Sequence, residues 1–451
     1  MAGYFTPAYN PPYVNQEHAT LNICILAAGA AGMYCGSCLR DNALAGALLR
    51  ARHRVTLVPL YTPLRTDAPT VTIPRVFFGG INAWLQYASP IFRHTPRLLD
   101  WLFDRPWLLT MAGSFGAQTP PAKLGPFVLS ILSGEHGPQI KELRRLVRFV
   151  ADDLRPQVIS LPNLMFIGMA RLLHQDTGAP IVCELTGEDI FLDAMVEPYR
   201  TRARDVIRQR SADVARFVAT SSYYAGRMSD YLAIPREQIS VVYPGISRDH
   251  LRSIETEPAP KNRPPTIGYF ARICPEKGLD KLVDALHHLH RLPGMAHVQL
   301  RAAGYLGLAH RAWYDALRKR IAREGLAHAF TYVGEVDLPG KLAFLDSIDV
   351  LSVPTPYAEP KGIYVLEALA RGVPVVQPDH GAFPELISLT NAGLLVPPGD
   401  PQALADALAT LLTDPARRSQ LALHGREAVA AAFTDDHMAA KMLQIYQEVQ
   451  A

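Results

Sequence analysis

The sequence predicts an α/β protein with two doubly wound domains, and three observations favour this fold class. At 451 residues the chain exceeds one domain of typical size, and 49% of it is hydrophobic, enough to bury large sheets. Short apolar runs typical of buried strands alternate with helical stretches in both halves. A charged, proline-rich run with almost no apolar residues, 255–265, separates the two halves.

The first half opens with a strand, a helix and a second strand, which we place at residues 21–26, 42–51 and 55–60. This order is typical of a parallel sheet, because parallel neighbours need a crossover connection. Later strands are predicted at residues 158–161, 181–185, 217–220 and 239–243. We assign residues 21–255 to a first domain and residues 1–20 to a loose tail, which lacks the basic start and apolar core of a secretory signal.

The second domain is predicted to extend from residue 266 to residue 430, after a linker at residues 256–265. An amphipathic helix is predicted at residues 279–286, and strands are predicted at residues 266–271, 348–354 and 372–378. A last helix, 435–450, falls in a terminal segment at 431–451.

Composition excludes several classes of protein. The formal charge of +3 is too small to indicate nucleic-acid binding, and no run approaches the roughly 18 apolar residues of a membrane span. We expect five scattered cysteines to be free thiols in a reducing, cytoplasmic compartment: Cys24, Cys35, Cys38, Cys183 and Cys274. Cys35 and Cys38 form one C-x-x-C pair, which without a second ligand pair favours packing thiols over a zinc site.

The most informative stretch is Glu359-Pro-Lys-Gly-Ile-Tyr-Val-Leu-Glu367, in which two carboxylates flank a glycine turn and the start of an apolar helix. Backbone N–H groups of residues 362–364 would face the crevice beyond a strand's carboxyl end, where phosphates bind. Glu367 lies about 7 Å along the helix axis from Gly362, within reach of ribose hydroxyls, while Glu359 would reach a sugar beyond the diphosphate. The alternative is that Glu367 faces solvent and pairs with Arg371, which is worth only about 0.3 kcal/mol.

A second candidate phosphate site lies where the predicted strand 266–271 ends. Arg272 and Lys277 share one loop there, and they could stabilise the charge of a departing nucleoside diphosphate without a metal. The alternative is a solvated loop in which Lys277 pairs with Glu276, because this spacing alone is weak evidence.

Four blocks together carry a resemblance: residues 268–278, residues 331–335, the two-glutamate motif and residues 372–374. In order and spacing they resemble the donor half of a family 4 (GT4-type) retaining glycosyltransferase with the GT-B fold. The resemblance covers essentially the whole chain and is clearer in the second half. It implies two Rossmann-like domains facing a cleft, with the acceptor on the first, the donor on the second, and the last helix crossing back to the first.

The resemblance also implies roles for particular residues. Arg272 and Lys277 would hold the donor diphosphate, Glu359 the transferred sugar and Glu367 the ribose, and the first three would be catalytic. Backbone groups of Val333, Gly334, Glu335 and Val336 would meet the nucleobase. Gly362, Ile363 and Tyr364 would line the sugar and the phosphates. No metal or cofactor is expected, because Arg272 and Lys277 could stabilise the charge of the leaving diphosphate. A phosphate oxygen can accept the proton of the acceptor hydroxyl, so the mechanism needs no dedicated protein base.

Two places depart from the family pattern. Many members carry a His after the strand at 181–185, but Thr186 stands in that neighbourhood here, so the role of that His is not carried over. Glu188 and Asp189 follow at a strand's carboxyl end and could bind acceptor hydroxyls, or they could serve a helix start as first-turn carboxylates.

The second departure is the glycine-rich loop at residues 28–38. Gly29, Gly32 and Gly36 do not form the dinucleotide fingerprint, so NAD binding is disfavoured. A glycine loop before a helix still suits close approach to a diphosphate, and we expect Gly36 and Ser37 to make the contacts.

Two segments raise the possibility of a membrane-proximal acceptor. Residues 91–107 mix Trp and Phe with Arg, and residues 141–148 form a basic amphipathic helix, so both could lie on anionic lipid at the inner face of a membrane. We favour the alternative that their apolar positions pack on the sheet.

The leading functional hypothesis is retaining transfer of a hexose-like sugar from a nucleoside diphosphate to a hydroxyl of a glycan, a lipid-linked or a small-molecule acceptor. A nucleotide-sugar epimerase, a phosphorylase of the same architecture and a noncatalytic sugar-nucleotide binder are the alternatives.

Overall fold

The computed structural model describes residues 20–29, 36–66, 69–78, 80–93, 121–251 and 263–451. Several predicted features lie outside the described residues: the tail up to residue 19, Gly32 and Cys35 of the glycine loop, residues 94–107 of the aromatic segment, and most of the linker. Within the described part, the chain forms two lobes, each built on a six-stranded parallel sheet.

The first lobe has the strand order β2-β1-β3-β4-β5-β6. Its strands are β1 (Asn22–Ala27), β2 (Arg54–Pro59), β3 (Val158–Leu161), β4 (Ile181–Leu185), β5 (Arg216–Ala219) and β6 (Ile239–Val241). All six were predicted, with ends that differ by at most two residues. Their central residues are buried, because helices cover both faces of a parallel sheet, and the strands are therefore mostly apolar.

The helices of the first lobe are α1 (Gly36–Arg50), α2 (Gly80–Ala88), α3 (Pro121–Leu132), α4 (Ile140–Arg148), α5 (Ala170–Thr177), α6 (Glu188–Asp193), α7 (Tyr199–Arg210) and α8 (Ser222–Leu232). Helix α1 begins six residues before its predicted start at residue 42. The predicted start was wrong, because Arg40 and Asp41 lie within the helix and the fold buries both of them. Tertiary packing overrides the local pattern here.

The second lobe has the strand order β12-β11-β10-β7-β8-β9. Its strands are β7 (Thr266–Phe270), β8 (Gln299–Ala303), β9 (Phe330–Gly334), β10 (Val350–Leu351), β11 (Val375–Pro378) and β12 (Gly393–Val396). Strand β10 is much shorter than the predicted run of residues 348–354. The backbone N–H of Val353 donates to the side-chain oxygen of Gln377, at 3.2 Å, so the buried chain leaves the ladder early.

The remaining helices are α9 (Leu279–Leu289), α10 (Arg311–Arg323), α11 (Leu338–Asp346), α12 (Ile363–Ala370), α13 (Phe383–Thr390), α14 (Pro401–Thr413), α15 (Pro415–Ala432) and α16 (Asp435–Glu448). Helix α16 returns to the first lobe, where Met442 and Tyr446 pack with Leu44 of α1 in one apolar cluster. Arg50 of α1 also pairs with Asp435, at 2.8 Å. The predicted crossover of the last helix is confirmed.

The two lobes meet at the carboxyl ends of their sheets. Thr220, which follows β5, donates its hydroxyl to the backbone oxygen of Pro360 at 3.1 Å, and the neighbouring Ser221 hydroxyl donates to the same oxygen at 2.8 Å. Pro360 belongs to the loop between β10 and α12. Loops beyond strand ends are where open α/β sheets bind ligands, and here they enclose the cleft between the lobes.

Candidate functional site

A buried ion pair lies at the centre of the second lobe's loops. The Lys277 ammonium is 2.5 Å from a carboxylate oxygen of Glu359, and both side chains are largely buried. Lys277 follows β7 and Glu359 follows β10, which are neighbours in the sheet, so the two side chains emerge at the same edge. The suggested pairing of Lys277 with Glu276 is wrong, because the partner comes from the adjacent strand.

Two tyrosines complete the surroundings of Glu359. The hydroxyls of Tyr357 and Tyr364 donate to one of its carboxylate oxygens at 3.0 and 3.3 Å, and Lys277 donates to the Tyr357 oxygen at 2.5 Å. Burial alone would raise the pKa of Glu359, but the Lys277 charge and these hydrogen bonds outweigh it and lower the pKa to about 2. Glu359 is therefore an anion at neutral pH, held ready to accept hydrogen bonds.

Arg272 lies beside this pair at the end of β7. Its side chain is exposed, its backbone oxygen accepts the Tyr269 hydroxyl at 2.9 Å, and its charge is close enough to Tyr357 to oppose the rise in the pKa of that phenol. Arg272, Lys277 and Glu359 thus lie close together at the carboxyl edge of the second lobe's sheet.

The start of α12 lies at the same edge. Gly362 caps the helix with φ of +64°, a conformation that glycine adopts without strain, and Ile363 and Tyr364 form its first turn. The Glu359 loop is held from behind by the turn before α13, since a side chain at Gly381 would lie 2.5 Å from the backbone nitrogen of Glu359. The orientation of the loop is fixed by backbone packing.

Glu367 is buried on α12 and pairs with Lys341 of α11, at 2.7 Å. The suggested solvent-facing pairing with Arg371 is wrong, because Arg371 binds Asp346 at 2.5 Å. Sequence reasoning missed Lys341, since no local pattern marks a lysine on α11 as buried.

A cavity of about 320 Å³ opens beside Glu367 and Lys341, between α12 and α1 of the first lobe. Ile363 and Gly36 line its inner part. Sites for small molecules begin at roughly this size, so the cavity has room for a nucleoside in reach of the Glu367 carboxylate.

The segment predicted to meet a nucleobase follows β9. Val333 is 40% exposed, and Gly334 has φ of +99°. Glu335 pairs across the cleft with Arg65 at 3.2 Å, and Val336 packs at the edge of the second lobe's core. All four residues are at least partly exposed.

On the first lobe, the Glu188 carboxylate folds back onto its own loop. It accepts the backbone N–H groups of Thr186, at 2.8 Å, and of Gly187, at 3.0 Å, and it also accepts the hydroxyl of Tyr224. Burial raises the pKa of Glu188. Glu188 and Asp189 are the first two residues of helix α6, as the first-turn alternative predicted, and the Glu188 carboxylate also holds the loop that meets Pro360.

Asp189 is also engaged within the first lobe. It accepts the Tyr224 hydroxyl at 3.0 Å and the Arg227 guanidinium at 3.1 Å. Both predicted acceptor residues are therefore near the cleft, and each already has protein partners.

The glycine loop of the first lobe is described only in part. Gly36 starts α1 opposite Ile363, and a Cβ atom added to this glycine would lie 3.4 Å from Ile363 Cδ1. Ser37 accepts a hydrogen bond from the Lys361 ammonium, at 2.8 Å. Both residues thus contact the loop that carries Glu359.

The basic helix predicted at residues 141–148 is α4, with Leu143, Leu146 and Val147 buried in the first lobe's core and Arg144 and Arg148 exposed. Its apolar face is occupied by protein, which agrees with the alternative we favoured. Across the described ranges, no helix has both the length and the apolar character needed to cross a bilayer. Cys24, Cys183 and Cys274 are buried free thiols.

Comparison with known proteins agrees with this architecture. The family models described as Glycosyltransferase Family 4 and as Glycosyl transferases group 1 match residues 114–250 and 252–428. The chain is 32% identical over 261 residues to a GDP-mannose-dependent alpha-(1-6)-phosphatidylinositol monomannoside mannosyltransferase of Mycobacterium tuberculosis, covering 53% of this chain and 63% of that protein. It is 32% identical over 246 residues to a D-inositol 3-phosphate glycosyltransferase of Jonesia denitrificans, covering 52% and 57%. The chain therefore spans less than two thirds of the length of these relatives.

Solved structures share the two-lobed fold. Sucrose-phosphate synthase from Thermosynechococcus elongatus has a TM-score of 0.69 at 19% identity, covering 95% of this chain and 98% of that one. Anabaena HepE in complex with UDP has a TM-score of 0.66 at 17% identity, covering 95% and 100%. The consecutive family matches, the paired parallel sheets and the returning last helix lead to one assignment: the chain belongs to the family 4 (GT4-type) glycosyltransferases and has the GT-B fold.

Proposed function

We propose that this protein transfers a sugar from a nucleoside-diphosphate sugar to an acceptor hydroxyl, with retention of the anomeric configuration. The observation that carries the proposal is the buried Lys277–Glu359 pair beside the start of α12. A carboxylate whose pKa is lowered to about 2 binds sugar hydroxyls as an anion, and the neighbouring cation lies where phosphate must leave.

In this mechanism the bond between the sugar's anomeric carbon and the diphosphate oxygen breaks, and its electron pair stays on that oxygen. Arg272 and Lys277 stabilise the charge that develops there. The acceptor oxygen bonds to the anomeric carbon on the same face, and its proton passes to a phosphate oxygen of the leaving group. The mechanism therefore requires neither a protein base nor a metal ion.

The cavity beside Glu367 would hold the nucleoside, and the backbone after β9 would contact the base. The relatives suggest which compounds to test first. GDP-mannose is a reasonable donor and inositol-containing alcohols are reasonable acceptors, because the names of the matched relatives include them. UDP-glucose is the second donor of choice, since HepE has been solved in complex with it.

We expect one of GDP-mannose, UDP-glucose and ADP-glucose to raise the melting temperature of the purified protein. At a donor concentration of about 100 times Kd, the native state gains about 2.7 kcal/mol. That donor should then be consumed only when an acceptor alcohol is added. The reaction should proceed equally in the presence of EDTA, which removes divalent metal ions. NMR of the product should show the donor's anomeric configuration. Stabilisation by none of the three would contradict the proposal, and consumption without any acceptor would favour an epimerase.

The lobes are connected by a carboxylate that we call the interlobe latch, Glu385 of α13. It accepts the backbone N–H groups of Ser222 and Tyr223 at the start of α8, at 2.9 and 3.0 Å, and the hydroxyl of Tyr243. These bonds form only when the lobes meet, and closure excludes water from the cleft.

Glu385→Ala should therefore lower kcat about tenfold and change the Kd of the donor nucleotide by less than about twofold, because charge-assisted hydrogen bonds of closure are lost while the donor's own contacts remain. The exposed Glu427→Ala is the matched control. Equal losses in kcat and donor affinity would argue against a latch. Burial alone would raise the pKa of Glu385, but the hydrogen bonds from the Tyr243 hydroxyl and the two amides outweigh burial and lower it. The latch therefore persists above pH 4.5 and weakens only as the pH falls below that value.

A further inference from the structure

Lys361 lies between the lobes, and none of the roles assigned above involves it. Its ammonium donates to the Ser37 hydroxyl of α1 at 2.8 Å, so it spans the cleft. Its backbone N–H points to the other carboxylate oxygen of Glu359, at 3.4 Å, and the next residue is the capping Gly362. The side chain therefore starts beside the predicted sugar site and ends at the first lobe.

The charge of Lys361 acts on two buried carboxylates. It is close enough to Glu359 to help lower the pKa of that carboxyl, and close enough to Glu188 to oppose the rise in pKa that burial causes there. Glu188 begins α6 directly after Gly187, which approaches Pro360. Lys361 is thus a cation at the junction of Ser37, Glu188 and Glu359, where the acceptor side and the donor side of the cleft meet.

Charge balance shows what this cation can contribute. Arg272 and Lys277 supply two positive charges, but Glu359 lies 2.5 Å from Lys277 and cancels one of them, leaving a net charge of one. A departing nucleoside diphosphate carries about two to three negative charges at neutral pH, because a terminal phosphate alone carries roughly 1.5 to 2. One net charge does not balance it, whereas the Lys361 ammonium, which reaches from the loop before α12 to Ser37 of the first lobe, adds a second.

We propose that Lys361 is a third phosphate-binding cation, which exchanges its hydrogen bond with Ser37 for one to the sugar-side phosphate of the donor. This inference rests on the proposed function. As the bond between the anomeric carbon and the phosphate oxygen breaks, the electron pair remains on that oxygen and the Lys361 ammonium stabilises it. The acceptor's proton still goes to a phosphate oxygen, so Lys361 keeps its own proton throughout.

Nucleotide binding by the full chain tests this directly. A nucleoside monophosphate lacks the sugar-side phosphate, so Lys361→Met should weaken binding of GDP or UDP, whichever binds the unaltered protein, by about 10- to 100-fold. Binding of the corresponding GMP or UMP should change by less than about twofold. Lys361→Arg, which keeps the charge, should restore most of the diphosphate affinity, and Lys319→Met, at an exposed position of α10, is the matched control.

Several outcomes would overturn the inference. Unchanged diphosphate affinity in Lys361→Met would show that the ammonium does not bind the phosphate. If the variant raised only the KM of the acceptor, the ammonium would be assigned to acceptor binding. Equal losses for the diphosphate and the monophosphate would indicate a structural effect. If the unaltered protein binds no nucleoside diphosphate at all, the proposed function fails together with the inference, whereas transfer activity that is intact in Lys361→Met removes only the inference.

Discussion

Glu359→Gln and Lys277→Met should each lower kcat about 10²- to 10³-fold while the protein stays folded. The amide of Gln cannot carry the negative charge that binds sugar hydroxyls strongly, and Met cannot stabilise charge on the leaving diphosphate. Since the two side chains act as one pair, 2.5 Å apart, the double variant should lose little more than either single variant. Steady-state kinetics on the donor found by the thermal-shift screen would measure all three.

Glu276→Gln is the matched control for this pair, because it removes a carboxylate one residue from Lys277 that is not a member of the pair. Its kcat should remain within about twofold of the unaltered enzyme, as expected for a surface substitution. Full activity in both Glu359→Gln and Lys277→Met, with circular dichroism unchanged, would remove the pair from the mechanism and with it the central argument for transfer at this site.

The same pair predicts how stability depends on pH. Because the folded-state pKa of Glu359 is depressed to about 2 from an ordinary 4.5, the pair's contribution is fully present above pH 4.5 and is lost as the pH falls towards 2. An activity loss well above pH 4.5 would therefore have to come from a group other than Glu359; burial raises the pKa of Glu188.

The sheets could be predicted because a parallel strand covered on both faces has a strong local signal. β3 and β4, buried along their whole length, have the predicted bounds. Prediction failed where packing between distant segments decides the structure. Helix α1 begins at Gly36 because the fold buries Arg40 and Asp41, and no periodic pattern in the sequence indicates that these two charged residues are buried.

The site shows the same division. Lys277 and Glu359 were predictable because each follows an apolar strand, and the two strands are neighbours in the sheet. Their surroundings were not predictable, since Glu385 contacts residues more than 140 positions away and Lys341 looks like an ordinary solvent-exposed lysine of a short helix. A buried polar group is recognised only when its partner is known, and the partner comes from the fold.

Lys341→Met should destabilise the protein by about 3–5 kcal/mol, because it leaves the buried Glu367 carboxylate without its cation. Both side chains are at least nine-tenths buried and their charged atoms are 2.7 Å apart, so water cannot replace the lost partner easily. Equilibrium denaturation in urea would measure the change, and Lys319→Met, the same substitution at an exposed position of α10, should change stability by less than about 0.5 kcal/mol.

The double variant Lys341→Met/Glu367→Met separates stability from ligand binding. Replacing both charges by apolar side chains of similar size removes the uncompensated carboxylate, so most of the lost stability should return. Donor affinity should not return, because Glu367 borders the cavity that would hold the ribose and its carboxylate would be gone. Recovery of both properties would show that the pair serves only the fold. Recovery of neither would show that Lys341 is held by contacts beyond Glu367. Recovery of stability without donor binding is the result expected of a carboxylate that the protein keeps buried in order to bind a ligand.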